Sequence, residues 1–495
     1  MKVTGQTLIE WGFKPGKWFG EAIKAADAMA RSNHFGNTEY TEFDMIAKVK
    51  EFEPEPITIL PPQNPTSIPI HYNIDAETDY EISNLESVKR NVQEIAQVPV
   101  VKAISIMPDA GPQGGGGIPV GAVALVENAI IPGMHSADIC CSMAMTVFPS
   151  DTDPTALLDA GMRISHFGKG GRPYSHDMQV SQDLLNDFER NPYLSNKSGV
   201  AQKHFGTQGD GNHFFFVGRM ESTGQIALVT HHGSRKPGAM LYSVGIELAQ
   251  QMSYEQAPYL NKHNLWISYD TEEGQNYWEA LQIIRRWTKS NHFTIHNAVA
   301  KEIGAKDKDR FWNEHNFVFK REYEGKTFFA HAKGATPAYM GFAPDMVGKA
   351  IIPLNMASPI LITEVNQDAD FGMNFESQPS LGFSPHGAGR NFSRSDFTRR
   401  MIESGLTGKQ MIADIQEKID VRAFSGKHDI SEFPLAYKNA DQIIAQIEKY
   451  ELTKVVDKIH PIGSIMAGHS GVDYRAIKRA KKERRRQLEE EEHNG

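Results

Sequence analysis

From Pro99 onward the chain carries a succession of short apolar runs of the kind that buried strands absorb. Pro99 closes a helical stretch and suits the first position of a strand. Val100-Val-Lys-Ala-Ile-Ser-Ile106 follows it, then a glycine-rich loop, then a second apolar run from Val120 to Val126. Similar runs recur at Phe214–Val217, Ile226–Thr230, Asn316–Lys320 and Thr327–His331, the last two flanking Glu324-Gly325 as a hairpin would. Helical stretches separate many of them. This texture predicts an α/β (α+β mixed) fold, with residues 99–470 as a single large domain and no clear internal repeat.

Residues 1–98 read as an N-terminal helical extension and proline-rich linker. Phe19, Ala22, Ile23 and Ala26 fall on one helical face. The stretch Trp11-Gly-Phe-Lys-Pro-Gly-Lys-Trp18 before it suits a packed cap, given the tendency of aromatic side chains to be buried, and RNA contact is the alternative. Six prolines between Pro54 and Pro69 predict an extended linker or arm. Ile82, Leu85, Val92 and Ile95 then mark an amphipathic helix. At the other end, residues 471–495 run basic and then acidic, as a solvated helix or frayed tail does, with RNA contact again the alternative.

With 495 residues and 40% hydrophobic content, the chain can bury a sizeable core. Its net charge of -9 means that a nucleic-acid partner would need a local basic patch. No apolar run is long enough to span a bilayer and no signal-peptide pattern opens the sequence. The only two cysteines, Cys140 and Cys141, are neighbours, poorly placed for a disulfide with each other. A reducing cytoplasm is the expected setting.

Five motifs carry chemistry. Asp138-x-x-Cys141 offers a hard oxygen and a soft thiolate, a pair that can hold a borderline first-row metal, although alone it fits a structural turn at least as well. Gly209-Asp-Gly-Asn212-His213 leads into an apolar strand, where glycines allow close approach to a phosphate or simply a strand-entry turn. Thr230-His231-His-Gly-Ser-Arg235 ends a strand, a common place for sites in α/β folds, with a guanidinium suited to phosphate. Glu314-His315-Asn316 opens the hairpin. His292 and His296 form an i,i+4 pair able to bind metal, but Phe293 and Ile295 give that segment the look of an ordinary buried helix, so His315 is the preferred ligand. Finally, Ser384-Pro-His386-Gly-Ala-Gly-Arg390 precedes a helix whose start, Ser393 to Asp396, has capping-box spacing. Backbone amides and a helix N-terminus favour anions there, and a neutral imidazole in such a place can attack phosphorus; a surface loop histidine is the plain alternative.

Taken in order, these motifs resemble the RtcB-type RNA ligases over roughly residues 99 to 470. The resemblance rests on Met107-Pro-Asp109, Ser136-Ala-Asp138-Ile-Cys140-Cys141-Ser-Met143, Gly211-Asn212-His213-Phe214, His231-His-Gly-Ser-Arg235 and His315-Asn316. Lys333-Gly-Ala335, His386 to Arg390, and Pro434-Leu-Ala-Tyr437-Lys-Asn-Ala-Asp441 complete it. It implies two manganese ions bridged by Cys141, one completed by Asp138 and His213, the other by His231 and His315. Cys140 stands where the family has glycine and is a bystander. The resemblance further implies that His386 takes GMP from GTP, that Asp109 orients it, and that Asn212, Asn355, Gly387, Ala388, Gly389, Arg390 and Tyr437 bind the nucleotide. The implied partners are RNA ends, a 3′-phosphate or 2′,3′-cyclic phosphate joined to a 5′-hydroxyl in RNA repair or tRNA splicing. Lys169, Arg172, Arg235, Lys236, Arg394, Arg399 and Arg400 are the basic side chains expected to guide them.

Departures from the family pattern cluster at the nucleotide. Phe216 occupies the place of a glutamate that reads the guanine edge, and Ala467 that of a base-contacting lysine. Leu354 and Asn355 replace Gly-Ser, and Gly111 replaces a histidine. Loss of a carboxylate and an ammonium removes bonds that distinguish guanine, so relaxed nucleotide preference is expected. The runner-up is a metal-dependent phosphoesterase of RNA ends without ligation. A non-catalytic RNA-binding protein is a third class, which would need none of these histidines.

Overall fold

The computed structural model describes residues 2–34, 39–53, 58–113, 116–173, 176–339, 341–343, 345–365 and 378–469. The chain divides into two compact units, residues 1–60 and 61–495. The expected extension over residues 1–98 is therefore split, and its last third belongs with the larger unit. The charged segment 471–495 lies outside the described residues.

In the smaller unit, helices Gly5–Glu10, Phe19–His34 and Glu42–Lys50 enclose Leu8, Phe19, Ala22, Ala26, Met45 and Val49. Thr4 and Thr41 each close a capping box, satisfying amides that a helix start leaves open. Phe19, Ala22 and Ala26 form the face their spacing predicts.

In the larger unit, strand β1 (Ile70–Tyr72) pairs parallel with β2 (Val101–Gly111), which pairs antiparallel with β3 (Val120–Glu127). A two-residue pair joins β4 (Ala129–Ile130) to β8 (Ile267–Ser268). The hairpin β10 (Asn316–Tyr323) and β11 (Lys326–Lys333) extends the first sheet through β11 against β3. Its turn residues Glu324 and Gly325 both have positive φ, 48° and 76°, as a tight two-residue turn requires. The proline-rich arm thus leads into a sheet edge, through β1, that the sequence does not reveal. The helix Asp79–Ile95 exists as predicted but buries Val88, Val92 and Ile95 and leaves Ile82 47% exposed, a face rotated from the expected one.

The second, eight-stranded sheet carries most of the motifs. Its path is β13 (Lys349–Ile352), β14 (Ile360–Glu364), β17 (Lys454–Met466), β6 (Phe214–Met220), β7 (Ile226–His232), β5 (Ser142–Phe148) and β9 (Asp309–Glu314), with β16 (Asp420–Ala423) beside β17. Short strands β12 (Ala335–Pro337) and β15 (Phe383–Pro385) pair separately and deliver His386 at the end of β15.

Register assigns the faces of this sheet. Met143, His231, Phe214 and Met466 lie side by side across β5, β7, β6 and β17, and Met145, Val229, Phe216 and Ser464 form the next row on that face. The intervening row, Ala144, Thr230, Phe215 and Ile465, faces the opposite way. There the 31-residue helix Glu272–Glu302 covers the sheet, burying Trp287, His292, Ile295, His296 and Val299.

The helix supplies polar as well as apolar groups. Thr230 Oγ1 lies 2.6 Å from His292 Nδ1 and 2.8 Å from His296 Nε2; Ser142 Oγ is 3.0 Å from His292 Nε2, and Thr146 Oγ1 2.7 Å from His296 Nδ1. The i,i+4 histidines are thus fully occupied as packing partners of the sheet. Burial holds His296 neutral, its pKa pushed down to about 3, and His292 also well below the usual range. Because the folded values are depressed, this contribution to stability is present above the unfolded value of about 6.5 and is lost as pH falls below it. Thr230→Val keeps the shape but strands two buried ring nitrogens, so it is expected to cost about 2–4 kcal/mol in equilibrium urea unfolding. A loss under about 0.5 kcal/mol would contradict the network's role.

Candidate active site

Two sheets and one loop bring the predicted residues together. Cys141 immediately precedes β5, and its carbonyl accepts from the His315 amide at 2.9 Å, so the β5–β9 pairing sets these two side chains next to each other. His231 sits near the end of β7, and His213 immediately before β6. Asp138 lies on the turn closed by Cys141 N donating to Asp138 O at 3.1 Å. The residue between, Cys140, is buried in the core with φ of 57°, a conformation that favours glycine. It points away from the cluster.

Within the cluster, Cys141 Sγ is 3.3 Å from His231 Nε2 and 3.5 Å from His213 Nε2. His213 Nε2 is 3.2 Å from Asp138 Oδ2, and His231 Nε2 is 3.2 Å from His315 Nε2. The donor atoms form two groups, Cys141–His231–His315 and Asp138–Cys141–His213, each within 4.8 Å. Cys141 belongs to both, as a bridging ligand would.

The backbone decides the tautomers. His213 Nδ1 donates to Gln208 O at 2.7 Å and His231 Nδ1 to Asn212 O at 3.1 Å. Both Nε2 atoms therefore turn lone pairs inward, toward a carboxylate oxygen and a sulfur. A thiol proton can satisfy one such contact, not all of them. Shared cations satisfy the whole set, and a hard oxygen, imidazoles and a thiolate suit a borderline divalent metal such as manganese. Burial pushes the His231 pKa down to about 3 and holds His315 well below the usual range, so both rings are neutral, as ligands must be. Asp138 feels burial first, and only a proton on His213 Nε2, or a cation in its place, holds the carboxyl below the ordinary range. Burial, then the Asp138 charge, pushes the Cys141 thiol well up.

The second element is a histidine–carboxylate pair. His386 Nδ1 donates to Asp109 Oδ2 at 2.5 Å, and the same oxygen accepts the His386 amide at 3.3 Å. Asp109 is wholly buried while His386 stays 17% exposed. Nε2 is thereby left as the free nitrogen, on a ring 4.8 Å from the His315 ring. Gly389 has φ of +72°, and a Cβ there would come within 2.2 Å of Asp109 O, so the Gly387–Gly389 turn closes over the Asp109 strand only as glycine.

A cavity of about 640 Å³ opens over both elements. It is lined by Asp109, Asp138, Cys141, Asn212, His231, His315, Asn355, His386, Gly387, Ala388, Gly389, Arg390 and Tyr437, so every predicted site residue reaches it except His213. His213 lines an adjoining groove of about 2220 Å³, together with Asp138, Lys169, Arg235, Lys236, Arg394, Arg399, Lys409 and Lys427.

Several side chains are committed differently from expectation. The Arg390 guanidinium bonds Phe392 O, Ser431 O and Glu432 and stacks on Tyr437. Asn355 spends its carbonyl oxygen on the amides of Ala357 and Ser358, each at 3.0 Å, leaving its NH2 as the group it can offer. Arg172 holds the backbone carbonyls of Ile164 and Gly206 and is absent from the groove lining, as is Arg400, which lies over the Phe392 ring. Ser393 caps its helix through the Asp396 amide at 3.1 Å, one half of the expected box.

Glu432 was not foreseeable. Its buried carboxylate faces the cavity and gathers Arg390, Arg394 and the Tyr437 hydroxyl, from a 3-10 turn with no distinguishing local pattern. Lys438 is a second omission, although it sits inside the Tyr437 motif; it is buried beneath Asp109.

A family model described as tRNA-splicing ligase RtcB matches residues 150–467. The chain belongs to the RtcB family. It is 25% identical to the tRNA-splicing ligase RtcB of Thermococcus kodakarensis over 439 residues, 74% of this chain and 89% of that one. To the tRNA-splicing ligase RtcB of Aeropyrum pernix it is 25% identical over 464 residues, 78% and 93% of the two chains. To the RNA-splicing ligase RtcB of Escherichia coli K12 it is 24% identical over 386 residues, 71% and 87%. The family-model match begins after Asp109, Asp138 and Cys141, which this RtcB-family chain nonetheless folds onto the matched histidines.

Of the departures noted in the sequence, Gly111, Phe216, Leu354 and Asn355 line the cavity. Phe216 lines it opposite Ser464 on β17, near Phe214, Leu354, Met356, Ile360 and Met466. Ala467 lies on the groove side instead.

For the Asp138–Cys141–histidine group the expected behaviour is specific. Manganese titrated calorimetrically should bind Cys141→Ala at least about a hundredfold more weakly, since a shared ligand is lost, while Cys140→Gly should bind like the parent. His231 and His315 are already neutral near pH 6.5, whereas Cys141 must give up its proton. Affinity at Cys141–His231–His315 should therefore rise about tenfold per pH unit from about 6.5 to 8. A pH-independent affinity would contradict a thiolate ligand.

Proposed function

We propose that this protein is an RNA ligase that joins a 3′-phosphate or 2′,3′-cyclic phosphate to a 5′-hydroxyl, in RNA repair or tRNA splicing. The observation that carries the reading is His386, clamped by Asp109 through Nδ1 and aimed through Nε2 into the cavity that holds the Asp138–Cys141–histidine cluster. The names of the relatives, tRNA-splicing and RNA-splicing ligases, support the same activity.

Asp138, Cys141, His213, His231 and His315 would hold two manganese ions, which supply Lewis-acid polarisation of phosphoryl oxygens when bound. His386 Nε2 attacks the α-phosphorus of a nucleoside triphosphate, releasing pyrophosphate and forming a phosphoramidate. Asp109 keeps the Nδ1 proton in place and offsets the positive charge that develops on the ring. A cyclic phosphate is opened by water to a 3′-phosphate. An oxygen of that 3′-phosphate displaces His386 from the nucleotidyl phosphorus, and the 5′-hydroxyl then attacks the activated 3′-phosphorus, expelling the nucleoside monophosphate. The Gly387–Gly389 turn, Asn212 and the Asn355 amide would hold phosphates through N–H groups. Arg390, tied to Glu432, is a fixed positive wall more than a mobile clamp.

The groove beside Asp138 and His213 supports RNA entry. Lys169, Arg235, Lys236, Arg394, Arg399, Lys409 and Lys427 line it beside Asp138, Asp210, Glu403 and Asp429, leaving a local basic excess on a chain of net charge -9. A reducing cytoplasm suits a function that depends on the Cys141 thiolate. No described helix is long and apolar enough to cross a membrane.

Phe216 and its apolar neighbours favour two refinements. One is relaxed nucleotide preference, because an aromatic ring offers the base edge no hydrogen bond. The other, a second reading, is phosphoesterase action on RNA ends without ligation. Mass spectrometry of the protein incubated with manganese and each of four nucleoside triphosphates separates them. A nucleotidyl adduct on His386, absent in His386→Ala and formed with GTP and ATP at rates within about tenfold, is the expected result. Strict GTP dependence would remove the relaxed preference. Cyclic-phosphate opening with no adduct would replace ligase by phosphoesterase.

A further inference from the structure

Beneath the His386–Asp109 pair lies a buried ammonium that the reaction itself does not use. Lys438 Nζ donates to Pro108 O and to Ala110 O, each at 2.8 Å. These are the carbonyls immediately before and after Asp109. The Lys438 amide donates to Gly389 O at 3.0 Å, and Gly389 is the residue whose missing Cβ lets the His386 turn rest on Asp109. One lysine therefore ties three things: the peptide that enters Asp109, the peptide that leaves Ala110, and the turn that carries His386.

We infer that Lys438 is a positioning residue for the His386–Asp109 pair, fixing the carboxylate through the two carbonyls that flank it. This rests on the reading of His386 as nucleophile. The geometric argument is direct. Asp109 lies on β2 in a stretch where the β2–β3 register breaks, between Ile106 and Gly111, so strand pairing alone does not set its direction. Its Oδ1 finds no hydrogen-bond partner among the described residues, so the side chain is held by the single oxygen bonded to His386. With the strand irregular and one oxygen idle, the lysine clasp is what fixes the backbone on either side of Asp109, at Pro108 O and Ala110 O. Burial lowers the Lys438 pKa to about 8, with Asp109 and Glu81 opposing that shift. A buried ammonium is costly unless it is hydrogen-bonded, and these two carbonyls are the bonds it makes.

The test uses the full-length protein and two readouts. Single-turnover formation of the His386 adduct, with manganese and GTP, should slow at least about tenfold in Lys438→Met, since small misplacements of a reacting group carry penalties of that size or more. The half-saturating GTP concentration should change less than about twofold, because the residue touches no nucleotide-binding group's side chain. Lys438→Gln, which keeps two N–H donors, should recover part of the rate. In an Asp109→Asn background, Lys438→Met should add no further loss. Independently of turnover, 15N-histidine NMR should give a downfield Nδ1–H resonance for His386, identified by its absence in His386→Ala. It should be shifted or lost in Lys438→Met.

Each outcome decides. An adduct absent from the parent protein overturns the nucleophile reading, while the NMR result still decides the positioning role. An unchanged resonance, or unchanged adduct rate, in folded Lys438→Met overturns the positioning role. Failure of both variants to fold, seen in their thermal transitions, overturns it in favour of a lysine that only maintains the fold.

Discussion

The confrontation of electron-rich atoms around Cys141 is the constraint on which the rest depends. Asp138 Oδ2, Cys141 Sγ and the Nε2 atoms of His213, His231 and His315 stand at 3.2–3.5 Å in successive contacts. Such an arrangement holds more acceptors than protons until cations occupy it, and the structure spends considerable order on keeping it. Carbonyls of Gln208 and Asn212 fix two tautomers. Antiparallel register fixes Cys141 against His315, and a long helix with its own histidines backs the sheet from the far side. That backing matters because the two faces alternate along one strand: His231 faces the cavity, while Thr230, next to it on β7, holds His292 and His296 of the helix.

Much of this was legible in the sequence, for identifiable reasons. The strand runs are visible because two-sided burial demands apolar residues, and every run from Val101 to His331 lies on a strand. The Glu324-Gly325 turn was visible because positive φ is chemically selective. Residue types with narrow chemistry, His386, Cys141 and Asp138, announced themselves in motifs, and the cavity gathers them. What stayed hidden depends on long-range placement. Nothing local in residues 70–72 says that they pair with β2, so the boundary at residue 60 was not readable. Ile82 and Val88 are both apolar, and only tertiary packing chooses between their faces. Glu432 is an ordinary acidic residue until Arg390, Arg394 and Tyr437 converge on it.

The arginines show why charge counting in sequence is a weak guide to a polyanion surface. Arg172 and Arg235 both spend donors on backbone carbonyls, those of Ile164 and Gly206 and that of Gly168, yet only Arg235 lines the groove. Arg399 pairs with Asp396 and Glu403 and still lines the groove. A phosphate backbone competes with partners of this exposed kind easily, because surface ion pairs are worth only about 0–1 kcal/mol. It does not compete with the ties that hold Arg390 to the buried Glu432. The departures from the family pattern spare the cluster and the His386–Asp109 pair; Phe216 falls among apolar neighbours in the cavity, and Ala467 on the groove.

The central claim is that Cys141 is shared between two metal ions. Anomalous diffraction at the manganese absorption edge, from crystals grown with manganese, tests it most directly. The account predicts two peaks, one among Asp138, Cys141 and His213 and one among Cys141, His231 and His315, with the Cys141 sulfur coordinating both. A single peak that leaves Cys141 out, or none at this cluster, would contradict it.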